Sequence, residues 1–120
     1  MPVLPRGYDH AHFDDVDETE ETVSAVPAIL YGFTIANNHA TVPAYVQFFD
    51  ATAPTPGTTT PVLTIGVPAI SGASQEFVGG IIFRTAITVA STTTPEGATG
   101  TATDDVSVST FFLPGTQRGG

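Results

Sequence analysis

The chain has 120 residues, the size of one domain, and carries a net charge of −9 although only 12% of its residues are charged. It has no Lys, and its few Arg (Arg6, Arg84, Arg118) form no cationic patch to neutralise phosphate, so nucleic acid is not an expected partner. It has no Cys, hence no disulfide or thiolate metal site, and no apolar run long enough to span a membrane.

The acids are clustered. Asp9, Asp14, Asp15, Asp17, Glu18, Glu20 and Glu21 all precede residue 22. The opening MPVLPRGYDH lacks the charged-then-apolar pattern of a signal peptide. Residues 1–26 show no sustained apolar period, and a self-repelling charge run tends to stay extended. They read as an extended acidic arm or a solvated tail. Val3, Leu4, Tyr8, Phe13 and Val16 favour an arm, because a solvating tail has little use for them.

After Pro27 the pattern alternates. In AILYGFTIAN, Ile29, Tyr31, Phe33 and Ile35 are expected on one strand face. Asn37-Asn38-His39 supplies turn chemistry. The next strand, in VPAYVQFFDA, groups Val42, Ala44, Val46 and Phe48, and Pro43 belongs at its start or on an edge. Residues 30–50 therefore predict a β-hairpin.

ATAPTPGTTT is a loop, and PVLTIGV a strand with Leu63, Ile65 and Val67 on one side. PAISGASQ reads as a turn region. EFVGGIIFRTAITVA then places Ile81, Phe83, Thr85, Ile87 and Val89 together, opposite Ile82, Arg84, Ala86 and Thr88. STTTPEGATGTATDD is a long polar loop, VSVSTFFLP the last strand and GTQRGG a tail. Further strands are possible in the acidic segment, around Phe77 and near Thr101. No helical period extends over ten residues. The expected fold is all-β, a small β-sandwich or jelly roll over residues 27–114, with the arm at 1–26 and a tail at 115–120.

Candidate chemistry is sparse. His10 and His12 alternate in HAHFDD and could share a metal with Asp14, but an H-x-H alone more often belongs to a polar segment. DDVDETEE lacks the Gly and flanking helices of a calcium loop. His39 has no nearby acid or nucleophile in sequence, so it reads as a turn residue rather than a general base. Arg84 reads as an outward, interface or edge-blocking charge. Asp104-Asp105 reads as turn capping, or as an edge carboxylate at a subunit contact. Gly79-Gly80 suggests a bulge, and no phosphate-loop pattern is present. Neither a catalytic set nor a cofactor or metal site is expected.

Three blocks carry a resemblance: Ala44 to Asp50 (AYVQFFD), Pro61 to Pro68 (PVLTIGVP) and Gly80 to Ile87 (GIIFRTAI). With YGFTIANNHAT before them, they resemble small virion structural proteins of tailed bacteriophages, over about residues 28 to 113. The acidic segment lies outside the shared pattern, and Gln47 stands where Lys is frequent. The resemblance implies a head decoration (cement) protein that binds the major capsid protein on the capsid exterior, or else a neck, collar or tail spike. It also implies a homo-oligomer, commonly a trimer, and no catalytic residues. Expected contacts with the capsid are Phe13, Asp14, Asp15, Val16, Asp17 and Glu18 in the arm. Tyr45, Phe49 and Arg84 are expected at a subunit interface. A carbohydrate-binding module is the rival from another class, with Tyr31, Tyr45 and Phe49 as its aromatic platform.

Overall fold

The computed structural model describes residues 8–95, 97–101 and 105–114. The eight strands are β1 (Asp9–Phe13), β2 (Glu21–Ser24), β3 (Ala28–Asn37), β4 (Ala44–Phe49), β5 (Leu63–Val67), β6 (Ser71–Phe83), β7 (Ile87–Thr92) and β8 (Val106–Pro114). They form two four-stranded antiparallel sheets, ordered β1-β8-β3-β6 and β2-β7-β4-β5. This is the eight-stranded jelly roll, in which two sheets pack face to face over one core. The all-β sandwich expected from the sequence is what forms. The 115–120 tail, Asp104 and residues 1–7 lie outside the described residues.

The core sits between the sheets and follows the period of two. Ala44, Val46 and Phe48 point inward from β4, with Ile87 and Val89 from β7 and Val106, Val108 and Phe112 from β8. Phe33 on β3 meets Phe48 across the gap at a ring distance of 5.6 Å and Phe77 of β6 at 5.9 Å. Burying a side chain of this size contributes roughly 1.5–3 kcal/mol.

Several expectations are corrected. The boundary at 26/27 is not the edge of the folded unit. The acidic segment is extended, but it supplies β1, an edge of the first sheet beside β8, and β2, an edge of the second beside β7. Phe13 packs against the core and Val16 is fully buried within it. Four inward apolar residues (Ala11, Phe13, Val16, Val23) suffice to dock the segment, while its acids face outward or line the rim.

Residues 30–50 are not a hairpin, because β3 and β4 lie in different sheets. The connection 38–43 crosses the end of the sandwich. Asn37, almost fully buried, holds it there: its side-chain N–H groups donate to the carbonyls of Val42, Val67 and Pro68, and its oxygen accepts from the His39 N–H.

The expected face of β3 is also divided. Ala28 and Leu30 are inward, then Phe33 and Ile35, while Ile29 and Tyr31 lie on the outside. The register with both neighbours shifts between Leu30 and Gly32, so Tyr31 is an extra residue that reverses the alternation. Opposite it, β6 bulges through residues 77–80. Gly80 turns this bulge with φ +76°, and a Cβ there would collide with Ile29 Cγ2 and the Tyr31 ring.

Residues 71–75, expected as a turn, begin β6. The stretch 81–89 is not one strand. Ile81, Phe83, Ile87 and Val89 face inward as expected, but Thr85 is exposed in the turn, and Phe83 belongs to the first sheet while Ile87 and Val89 belong to the second. The turn between them is held by Asp50, whose carboxylate accepts from the backbone N–H groups of Arg84, Thr85 and Ala86.

Candidate interaction surface

The outer sides of the two sheets differ. On the second sheet, Gln47 and Phe49 of β4 and Thr88, Ala90 and Thr92 of β7 point away from the core, yet all are buried. The chain covers them itself. Loop 50–62 lies over this face with Pro54 buried, and Thr88 Oγ1 donates to Ala51 O. Residues 93–95 and 97–101 add the bond from Thr93 N to Thr99 O and a contact of Ala98 with Gly57 that joins the two loops. Gln47 Nε2 donates to Thr92 Oγ1 beneath this cover, while Gln47 Oε1 has no partner.

The first sheet has no such cover among the described residues, and its outer face divides in two. Toward β3's C-terminal end it is polar, with Thr34, Ser74, Ser107, Ser109 and His12. Toward the other end it is apolar. Cross-strand pairing sets Ile82, Ile29 and Leu113 side by side on β6, β3 and β8. Tyr31 stacks on Tyr8 at 4.6 Å, and Phe111 adjoins. Ile82 is 58% exposed, Tyr8 57% and Phe111 39%; Val78, on the β6 bulge, is wholly exposed. A contiguous apolar patch of this kind marks an interaction surface.

Of the expected capsid contacts, Val16 is unavailable, being in the core, and Phe13 is half-buried. Asp14 and Glu18 are exposed, and Asp15 and Asp17 are half-buried. Asp17 Oδ1 accepts from the Thr19 N–H, and the Glu18 carboxylate lies against Gly100, where a Cβ would displace it. Burial at the start of β2, together with the charges of Asp17, Asp15 and Glu20, holds the Glu21 carboxyl above its ordinary pKa. The acidic strip is therefore a ridge between β1 and β2 with concentrated negative potential.

The expected subunit-interface set does not assemble. Phe49 is fully buried under its own loop, Tyr45 packs over Gly66 on the second sheet, and Arg84 is exposed at the β6–β7 turn. Nor do Tyr31, Tyr45 and Phe49 form one platform, since Tyr31 is on the opposite sheet. The sequence alone does not assemble this patch: its alternation groups Ile29 and Tyr31 with the core face of β3, and Ile82, though set opposite the core face of its strand, is not joined to Phe111 and Leu113, which lie in an apolar run. The Gly79-Gly80 pair was the one signal of the bulge that turns them outward.

The other candidates are structural. His12 bonds Ser109 Oγ through Nδ1 (2.6 Å) and Asp14 through Nε2 (2.7 Å), so both ring nitrogens are engaged. Among the described residues no group of three or more His, Asp or Glu converges as a metal site. His39 Nδ1 accepts from the N–H groups of Thr41 and Val42, which places the neutral ring's proton on Nε2, 3.9 Å from Asp105. The Nδ1 lone pair of His39 is thus taken up by its own turn, and the ring borders a cavity of about 210 Å³ with Asn37, Pro43, Thr93, Thr101 and Asp105. Burial alone would raise the Asp50 carboxyl, but three backbone N–H groups and the Arg84 charge hold it below its usual range. No protein-family model matches this chain, and no curated protein matches it.

Proposed function

We propose that this protein is a virion structural protein of a tailed bacteriophage, a decoration (cement) protein that binds the major capsid protein from the outside. The observation that carries the reading is a jelly roll that buries one outer face under its own loops and, among the described residues, leaves the other uncovered. Such a module is organised to present a surface. Fold alone does not assign function, and jelly rolls serve both virion shells and lectins. The resemblance of Ala44–Asp50, Pro61–Pro68 and Gly80–Ile87 to phage virion proteins favours the first; these blocks form β4, β5 and the β6–β7 corner.

The mechanism is linkage. A protein that binds only the closed lattice raises the free energy needed to open it. The acidic ridge, with Asp14, Asp17 and Glu18, supports approach to a basic surface, and such steering weakens with salt over a screening length of about 8 Å. The test is to identify the protein in purified particles and count it. Particles stripped of it should lose integrity at a lower temperature, with add-back restoring the transition and rebinding slowing as salt rises. Absence from particles, or add-back without effect, would overturn the reading. A few copies per particle would instead assign it to a neck or collar.

A further inference from the structure

We propose that His39 is a pH-sensitive latch on the connection between β3 and β4. Such a latch operates whatever the protein binds, independently of the decoration reading. His39 sits where three connections meet at one end of the sandwich. Its carbonyl accepts from the Ile70 N–H, which ties 38–43 to the β5–β6 turn. The neighbouring Asn38 N–H donates to Asp105 O, which ties it to the chain entering β8. The ring acts on its own turn. Nδ1 accepts from the Thr41 and Val42 N–H groups, each at 3.0 Å. The imidazole thus does here what an Asn or Asp side chain does in an Asx-turn.

Only the neutral ring can do this. An imidazolium carries a proton on both nitrogens and has no acceptor, whichever way the ring is turned. Histidine changes charge between about pH 5 and 8, so the two bonds are present at the upper end of that range and lost at the lower. On the other side of the ring, Nε2 lies 3.9 Å from Asp105 Oδ2, too far for a hydrogen bond but close enough for the carboxylate to attract a cation. Beside both is the cavity of about 210 Å³, walled by Val42, Pro43, Thr93 and Thr101, which gives the ring room to move toward Asp105. A second carboxylate, that of Glu18, lies against Gly100 in the same cavity wall. Neutral His39 therefore holds the turn, and cationic His39 leaves it for Asp105. Thr41 is exposed and Val42 half-buried, so water takes over their N–H groups, and the crossing opens while the core stays closed. His12 provides the contrast. Its nitrogens meet Ser109 Oγ and Asp14 Oδ1, both of which can accept, so charging that ring breaks neither bond.

NMR of the full chain tests the latch. Ring nitrogen signals follow the charge of His39, and amide exchange, corrected for its intrinsic pH dependence, follows the turn. From about pH 8 to about pH 5, protection of the Thr41 and Val42 amides should fall about tenfold or more, in step with the His39 ring. Protection of Val46 and Phe48 in β4 should hold. His39→Asn, whose side-chain oxygen accepts without titrating, should keep both turn amides protected throughout. Asp105→Asn removes the anion that receives the cation and should move the opening to lower pH. Protection that is unchanged as the ring charges, or that falls equally in His39→Asn, would overturn the proposal. A His39 ring that stays neutral over the whole range would overturn it equally.

Discussion

On the outer side of β4 and β7, Phe49, Gln47, Thr88 and Thr92 are all buried, whereas on the outer side of β3 and β6, Thr34, Ser74 and Ile82 stand in solvent. The two sheets have equal strand numbers and share one core, so the difference lies in the connections. Residues 50–62, 93–95 and 97–101, rich in Pro, Thr and Gly, form a third layer over one sheet. The other sheet receives no such layer from the described residues. A strand such as β7, buried on both faces, therefore needs no second sheet outside it, only a loop of low charge whose backbone finds partners.

This contrast can be broken most sharply at Phe49. Phe49→Ala should destabilise the fold by about 3–5 kcal/mol in denaturant titration, because the ring is enclosed between β4 and its loop. A loss below about 1 kcal/mol, the range of surface substitutions, would mean that the loop does not cover that face in solution.

Next in size is Asn37→Leu, at the end where the sheets are tied together. It removes the donor serving three carbonyls, of which only the Val67 bond is fully buried, so the expected cost is about 1–3 kcal/mol for that one carbonyl left unpaired. Hydrogen exchange should quicken first in residues 38–43 and 67–70. Unchanged exchange there would show that the crossing is held by packing alone.

Asp50→Asn tests the opposite corner, where β6 leaves the bare sheet and β7 enters the covered one. The expected loss is on the order of 1 kcal/mol at neutral pH. The Asp50 carboxyl titrates lower in the folded state than in the unfolded chain, so its contribution is complete above the unfolded value, about 3.9, and lost as pH falls through the folded one. Melting curves of parent and variant should converge in acid. A pH-independent gap would remove the charge from the explanation.

The smallest effect is expected at the rim of the covered sheet. Glu21 titrates higher when folded, so its ionised form opposes folding, and that penalty appears as pH rises through the folded value. Glu21→Gln should raise the melting temperature slightly at pH 7 and by less as pH falls below the ordinary carboxylate range. A lower melting temperature at pH 7 would mean that the carboxylate makes a bond that Gln cannot replace.

The fold class, and the inward faces of 44–48 and 63–67, were legible because their alternation is uninterrupted. At Tyr31 a single extra residue reverses the phase without changing the composition, so Ile29 and Tyr31 read as core when they form the surface patch. β1 and β2 were read as an arm because edge strands need few inward apolar residues and their acids dominate the composition. The sheet change at Arg84–Ala86 was hidden by continuous apolar sequence on both sides, since its determinant, Asp50, lies 34 residues away from Arg84. Phe49 was misplaced for a related reason. Alternation tells which side of a strand a residue leaves from, but not whether a loop will return to cover it.

The strand order has a kinetic consequence. Of the paired neighbours, only β4 and β5 follow one another along the chain; β1 waits for β8, and β2 for β7. β8 is also the strand that separates β1 from β3. During synthesis the acidic N-terminal strands leave the ribosome long before their partners exist, and the first sheet stays open until residues 106–114 emerge. A chain so dominated by distant pairings belongs among the slow folders, on the millisecond-to-second scale. The near-absence of apolar runs in its first 26 residues then keeps the waiting segment in solution rather than in an aggregate.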